Sequence, residues 1–356
     1  MLRFLTAGES HGPSLTAILE GIPAGLRIDG VRINQELARR QEGFGRGGRM
    51  KIEQDRADFL SGIRFGETTG SPITLRITNS DWVNWETRMA AFGEPVGPSV
   101  TAPRPGHADL GGCQKYARQD VRDILERASA RETAARVAVG AVCRQLLEKC
   151  GIRVQSRVIA IGGSEDTAGQ EALITAAKAA GDTLGGCFEV TATGVLPGLG
   201  SHIQWDRRLD GKIAAAVVSI PAIKGVEFGA GFTCGNLPGS QVHDEIFYSK
   251  ERGYYRTTNR AGGIEGGMSN GEPIVLRAVM KPIPTLMRPL STVDIVTREA
   301  VEANSERSDV CAVSAAACVG EAMLCIVLGT ELLDKFGSDS MPELVAAISY
   351  YKDKMV

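Results

Sequence analysis

The chain has 356 residues, 43% of them hydrophobic and 23% charged, and a formal net charge of −2; this is a globular composition that excludes a disordered chain and gives no whole-surface attraction to nucleic acid or an anionic membrane. Eight cysteines without C-x-x-C spacing and only four histidines make a poor metal site, so no metal is expected. MLRFLTAGES has no apolar leader core and no unbroken apolar run nears 18 residues, so neither signal peptide nor membrane span is expected, and the cytosol is the default compartment.

In chain order, GESHG (8–12) comes first and fits the G-x-S-x-G of a hydrolase nucleophile elbow. An elbow needs a strand before it and a helix after it. Here SLTAILEGIPAGL follows, alternating like a strand and stopping at Pro23 and Gly25, so Ser10 reads as a neighbour of His11 and not as a nucleophile. LARRQEGFGRGGRMK (37–51) sets Arg39, Arg40, Arg46, Arg49 and Lys51 against one acid, Glu42. Its GFGRGG spells a dinucleotide fingerprint but follows a charged helical stretch, where that fingerprint needs a buried strand. PITLRITN predicts a strand, and FGEPVGPSVTAPRPG (92–106) a loop that its prolines keep irregular.

RASARETAARVAVGAVCRQLLEKCG predicts a helix opened by a Ser129/Glu132 capping box and stopped at Gly151. FEVTATGV and PIVLRAVM predict strands. RSDVCAVSAAACVGEAMLCIVLG predicts a buried helix with Ser308 or Asp309 as N-cap, and its Cys311, Cys318 and Cys325 read more simply as buried thiols than as a redox array. Strands and helices in mixed order favour an α+β fold with antiparallel sheets. A faint echo of EGIPAGLRID in TGVLPGLGSHIQWD suggests pseudo-repeated halves within a single domain, 1–356.

Arginine carries the chemistry. Three clusters, at 39–49, at Arg127 and Arg131 around Ser129, and at Arg307, suit a small polyanion, because the guanidinium fork binds carboxylate and phosphate bidentately. His11 and His107 each sit in a Gly-flanked polar loop with an acid two residues away, and Arg104 lies near His107. Such surroundings position an imidazole and bias its protonation. His202 and His243 lack them and read as structural.

These stretches together resemble the chorismate synthase family: GESHG, GRGGRM (45–50), RPGHAD (104–109), RASARETAARVA (127–138), IPAIKGVEFGAGF (220–232), NRAGGIEGGMSNGEPI (259–274), KPIPT (281–285) and RSDVCAV (307–313) fall in order along the chain. One departure is Ser314, where the family commonly has proline. The resemblance implies a 1,4-anti elimination of phosphate from 5-enolpyruvylshikimate 3-phosphate, giving chorismate at the last common step of the shikimate pathway to the aromatic amino acids. It implies reduced FMN as cofactor, NADPH as its possible reductant, a β-α-β sandwich with helices between antiparallel sheets, and a homotetramer. Carried over by position, His11, His107 and Asp309 resemble the catalytic groups. Ser10, Arg40, Arg46, Arg49, Arg131 and Arg307 resemble substrate ligands, Arg40 and Arg46 matching NADP positions as well. Flavin contacts would come from Arg127, Ala128, Ser129, Pro221, Ala222 and Gly266, with Lys281, Pro282, Ile283, Pro284, Thr285 and Arg307. The rival readings are a flavin-independent RNA or nucleotide binder, disfavoured by few aromatics, and a serine hydrolase at Ser10, disfavoured by its context.

Overall fold

The computed structural model describes residues 2–48, 52–306, 308–337 and 339–354. The first half runs β1 (Arg3–Ala7), β2 (Ser14–Glu20), α1 (Gly30–Gln41), β3 (Ala57–Ser61) and β4 (Ile73–Thr78). After a long irregular stretch come α2 (Asp109–Tyr116), α3 (Arg122–Ala128) and α4 (Thr133–Lys149). The second half is β5 (Arg153–Ile161), α5 (Thr167–Ala180), β6 (Gly186–Thr193), α6 (Leu209–Val218), β7 (Ile223–Phe228) and β8 (Ile274–Met280), closed by α7 (Val313–Phe336) and α8 (Met341–Asp353).

Both four-stranded sheets are antiparallel and share one order, β1-β2-β4-β3 and β5-β6-β8-β7. Each half contains two strands, a helix, two strands and a long helix in that order, to which the first adds α2 and α3 before α4 and the second inserts α5 between β5 and β6. The echoing segments follow β2 and β6, at equivalent places, so the pseudo-repeat is real. Residues alternate between buried and open along β2, β4 and β8, as strands with one covered face must. The covered faces lie on α4 and α7, which pack against each other between the sheets. Their buried side chains and those of both sheets form one continuous apolar cluster. α7 is long and apolar enough to cross a bilayer by composition, yet it is the buried core of this sandwich.

The predicted caps are corrected. Ser129 accepts from Arg131 N at 3.2 Å in a short 3-10 turn, while Glu132 turns away to Thr6 Oγ1 and Arg136, so no capping box forms. α7 starts at Val313 with Ala312 as N-cap, so neither Ser308 nor Asp309 caps it. Cys318 and Cys325 are buried on α7, Cys311 is buried just before it, and all eight cysteines are free thiols.

Candidate active site

GESHG is the connection between β1 and β2, a hairpin turn and not an elbow. Gly8 takes φ 109° there, and a Cβ on it would meet Ser14 O at 2.4 Å, so only glycine lets the chain turn this tightly. The turn presents His11 to a cavity of about 820 Å³ that collects loop ends from both halves. That volume lies at the upper end of the ~300–1,000 Å³ typical of small-molecule sites. His107 opens onto the same cavity from the loop before α2.

Each imidazole is held at Nδ1 by a carboxylate. For His11 the carboxylate is Glu126 on α3, with both oxygens 3.0 Å from Nδ1, and Oε2 also accepts the His11 backbone N–H at 2.8 Å. Glu9, the acid two residues away in sequence, is not that partner. A face of the ring stacks on Trp85 with centroids 4.0 Å apart. Burial alone would raise the Glu126 carboxyl, but hydrogen bonds from His11 and the nearby Arg122 charge outweigh it and leave it lowered.

His107 follows the sequence expectation. Its Nδ1 donates to Asp109, which is fully buried and also receives Arg104 Nε at 2.8 Å and Arg104 N at 3.0 Å. Arg104 Nη2 lies 3.1 Å from the same Nδ1, but a guanidinium only donates, so with the ring proton given to Asp109 this fork serves the carboxylate. Burial pushes the Asp109 carboxyl up; the bonds from His107 and Arg104 more than offset that and hold it well below the usual carboxylate range. Arg104 Nη1 reaches on to Thr285 Oγ1 at 2.9 Å, tying the histidine loop to the KPIPT segment.

The remaining candidates divide. Ser10, Ala128, Ser129 and Asp309 line the cavity, as do Pro221 and Ala222. So do Lys281, Ile283, Pro284 and Thr285, whereas Pro282 points outward. Ala222 sits at φ 69°, a left-handed conformation costing a non-glycine residue roughly 1 kcal/mol, and its carbonyl accepts Lys281 N at 2.9 Å. Burial, then the neighbouring Lys224 charge, lowers the Lys281 ammonium below the ordinary lysine value. Ser10 is buried, its N–H donating to Glu126 O at 2.9 Å.

The arginines stand behind the wall. Arg40, at the end of α1, donates to Ala130 O and to Thr133 Oγ1, each at 2.9 Å, and lies 3.5 Å from Asp55. Arg131 donates to Asp55 at 2.6 Å and to Asn79 at 2.8 and 2.9 Å. Burial lowers the Arg40 guanidinium to about 10, with Asp55 opposing. Arg46 pairs with Asp309 at 3.2 Å, and Asp309 also accepts Gly47 N at 2.6 Å. Arg39, with its side chain 41% exposed, instead pairs with the buried Glu321. Arg127 faces a neighbouring cavity of about 530 Å³ that shares Ala128, Ser129 and Pro221 as its wall, and Gly266 sits exposed on a small hairpin outside both. Arg49 and Arg307, like Lys51, lie outside the described residues. His202 and His243 are exposed and line neither cavity.

Sequence reasoning missed Glu126, Trp85 and Glu306. The one signal available was the i, i+4 pair Arg122/Glu126, with Nη1 to Oε1 at 2.7 Å, just ahead of the RAS motif.

The sequence profile of the chorismate synthase family matches residues 2–333. The chorismate synthase of Sulfurihydrogenibium sp. (strain YO3AOP1) is 55% identical with all of both chains covered. That of Caldanaerobacter subterraneus subsp. tengcongensis is 57% identical over 96% of each chain, and that of Aquifex aeolicus 56% identical over 96% of this chain and 95% of its own. A crystal structure of chorismate synthase superimposes with a TM-score of 0.81 at 45% identity, covering 99% of this chain and 98% of the other. The chain belongs to the chorismate synthase family, the lyases that eliminate phosphate from 5-enolpyruvylshikimate 3-phosphate to give chorismate for aromatic amino-acid biosynthesis.

Proposed function

We propose that the 820 Å³ cavity is where this elimination takes place, with the substrate held beside reduced FMN. The observation that carries the reading is two imidazoles, each anchored at Nδ1 by a buried carboxylate, facing one cavity. The residues present suit a flavin. Pro221, Ala222, Met280, Ile283 and Pro284 give an apolar wall for a ring system, and Lys281 with Ser129 and Thr285 offers polar partners for its phosphate and heteroatoms. The chemistry that a reduced flavin would supply there is transient electron density for cleavage of the C3–O bond, returned afterwards, which leaves the net change redox-neutral.

The net change breaks C3–O and C6–H and forms one ring double bond; phosphate leaves with the C3–O electron pair, and the C6 proton is released. His11 donates a proton to the departing phosphate. A histidine held at Nδ1 exchanges its proton at Nε2, and the carboxylate behind it stabilises the cation. His107 supports the electron-rich cofactor ring, and Asp309 assists removal of the C6 proton. Arg40, Arg46 and Arg131 take the substrate's anions, which compete with Asp55 and Asp309 for these guanidinium groups. Arg49 and Arg307 keep the same assignment by motif, as do Arg127 and Gly266 for the flavin. NADPH is the proposed reductant, with Arg40 and Arg46 as its matching positions.

The chain is proposed to act as one domain in a homotetramer in the cytosol, in keeping with eight free thiols. A nearly neutral charge supports a small-molecule substrate over nucleic acid or membrane. Anaerobic mixing of protein, dithionite-reduced FMN and substrate tests the core of this. Chorismate absorbance and free phosphate should appear together and vanish when flavin is omitted. His11→Ala and His107→Ala should each lower kcat by ~10²-fold or more, and Ser10→Ala far less. Near-wild-type rates in both histidine variants would remove them from the mechanism.

A further inference from the structure

We propose that Glu126 is the positioning residue for His11, fixing its tautomer and its place in the cavity; this rests on the reading of His11 as the proton donor. One residue, its side chain 2% exposed, ties both the ring and the backbone of the histidine turn to α3. Its Oε1 and Oε2 both lie 3.0 Å from His11 Nδ1, and Oε2 takes the His11 backbone N–H at 2.8 Å. Its own carbonyl takes the Ser10 N–H at 2.9 Å.

An ionised carboxylate only accepts, so the proton between the two groups belongs to Nδ1. That leaves Nε2 as the atom through which the ring gains or loses its proton. Glu126 is itself fixed. Arg122 Nη1 donates to Oε1 at 2.7 Å, and Arg122 Nη2 reaches Glu306, on the cavity wall, at 3.0 Å. The Arg122 guanidinium lies 5.0 Å from the centre of the Trp85 ring that stacks on His11. The imidazole is thus held at its edge by a carboxylate and on its face by an indole, both steadied by Arg122. The same helix ends at Ala128, so the clamp and the cavity wall are built on one helix.

A double-mutant cycle on the full-length enzyme tests this. Glu126→Gln keeps the shape and removes the charge. It should lower kcat on the order of 10²-fold with little change in KM, and Glu126→Asp should recover part of the loss. In a His11→Ala background Glu126→Gln should cost nothing more, because a group acting through His11 has nothing left to act on. An equal loss in both backgrounds, or a wild-type rate for Glu126→Gln, overturns the proposal while leaving His11 as the donor. A wild-type rate for His11→Ala removes the reading beneath it. The ¹⁵N spectrum of histidine-labelled wild-type enzyme needs no variant at all. With four histidines to resolve, the His11 signal, assigned by its loss in His11→Ala, should show a protonated Nδ1. An unprotonated Nδ1 in the neutral ring overturns the assignment.

Discussion

The two histidines reach their carboxylates by different routes. Asp109 lies two residues beyond His107, and the turn of RPGHAD brings them together, so this pair was legible in the sequence. Glu126 lies 115 residues from His11, and the acid that sequence proximity offers, Glu9, folds back beside Gly12 instead. No local rule predicts a partner delivered by tertiary packing. The arginines illustrate the same limit. Their clustering announced anions, but not that Arg39 would serve the core or that Arg40 and Arg131 would share Asp55. The Asp109 site yields a pH expectation with a definite sign. Its folded carboxyl is held below its unfolded value of ~3.9, so the stability it contributes is complete above that pH and is lost as pH falls beneath it. Asp109→Asn should destabilise the protein by roughly 3–5 kcal/mol near neutrality, since Arg104 stays buried without its carboxylate. It should also flatten the acid limb of the stability profile, measured as urea midpoints between about pH 2 and 5, where the unfolded carboxyl titrates and the folded one stays ionised. A variant with an unchanged acid limb would show that Asp109 is not a source of that loss.

At the scale of elements, period-2 alternation gave β2, β4, β6 and β8, and a long apolar helical pattern gave α4 and α7. These are the segments that contribute most to the core. The caps failed for a physical reason. Ser129 caps the short 3-10 turn ahead of α4 instead of α4 itself, Glu132 is taken by Thr6 and Arg136, and Asp309 is taken by Gly47 and Arg46. The close approach of α4 to α7 has its own mark in the sequence, a glycine in mid-helix. A Cβ on Gly140 would lie 2.4 Å from Ala322 Cβ and 2.5 Å from Ala322 Cα. Those atoms belong to a packed helix and cannot rotate away. Gly140→Ala gains ~1 kcal/mol of helix propensity, against an overpacking cost of ~1–3 kcal/mol or more when backbone is struck. The expected net result is a lower melting temperature in thermal unfolding, with unaltered far-ultraviolet dichroism at 25 °C. A higher melting temperature would mean that the helices separate at little cost.

Across the whole molecule, two halves of like topology must be joined, and most of the joint is apolar packing of α4 on α7. A buried charged network also stands there. Glu321, in the middle of α7 and fully buried, accepts from Arg39 of α1, Arg144 of α4 and Ser156 of β5, so its carboxylate connects elements of both halves. The echo in the sequence foretold the halves; nothing in it foretold this, because the arginines lie 177 and 282 residues away. Burial pushes the Glu321 carboxyl up, and bonds and charge from Arg39 and Arg144 outweigh it, leaving it lowered and ionised at neutral pH. Glu321→Gln would keep the volume but leave the largely buried Arg144 and the half-exposed Arg39 facing a neutral amide. Breaking one partner of such a network costs about 3–5 kcal/mol, because the stranded charges lose their compensation. Glu321 does not line the cavity, so turnover per folded molecule should hold while the chemical-denaturation midpoint falls sharply. Stability equal to wild type would mean that Glu36, already 3.8 Å from Arg144 and paired with Arg39, takes both cations by itself, and that the halves are held by apolar packing alone.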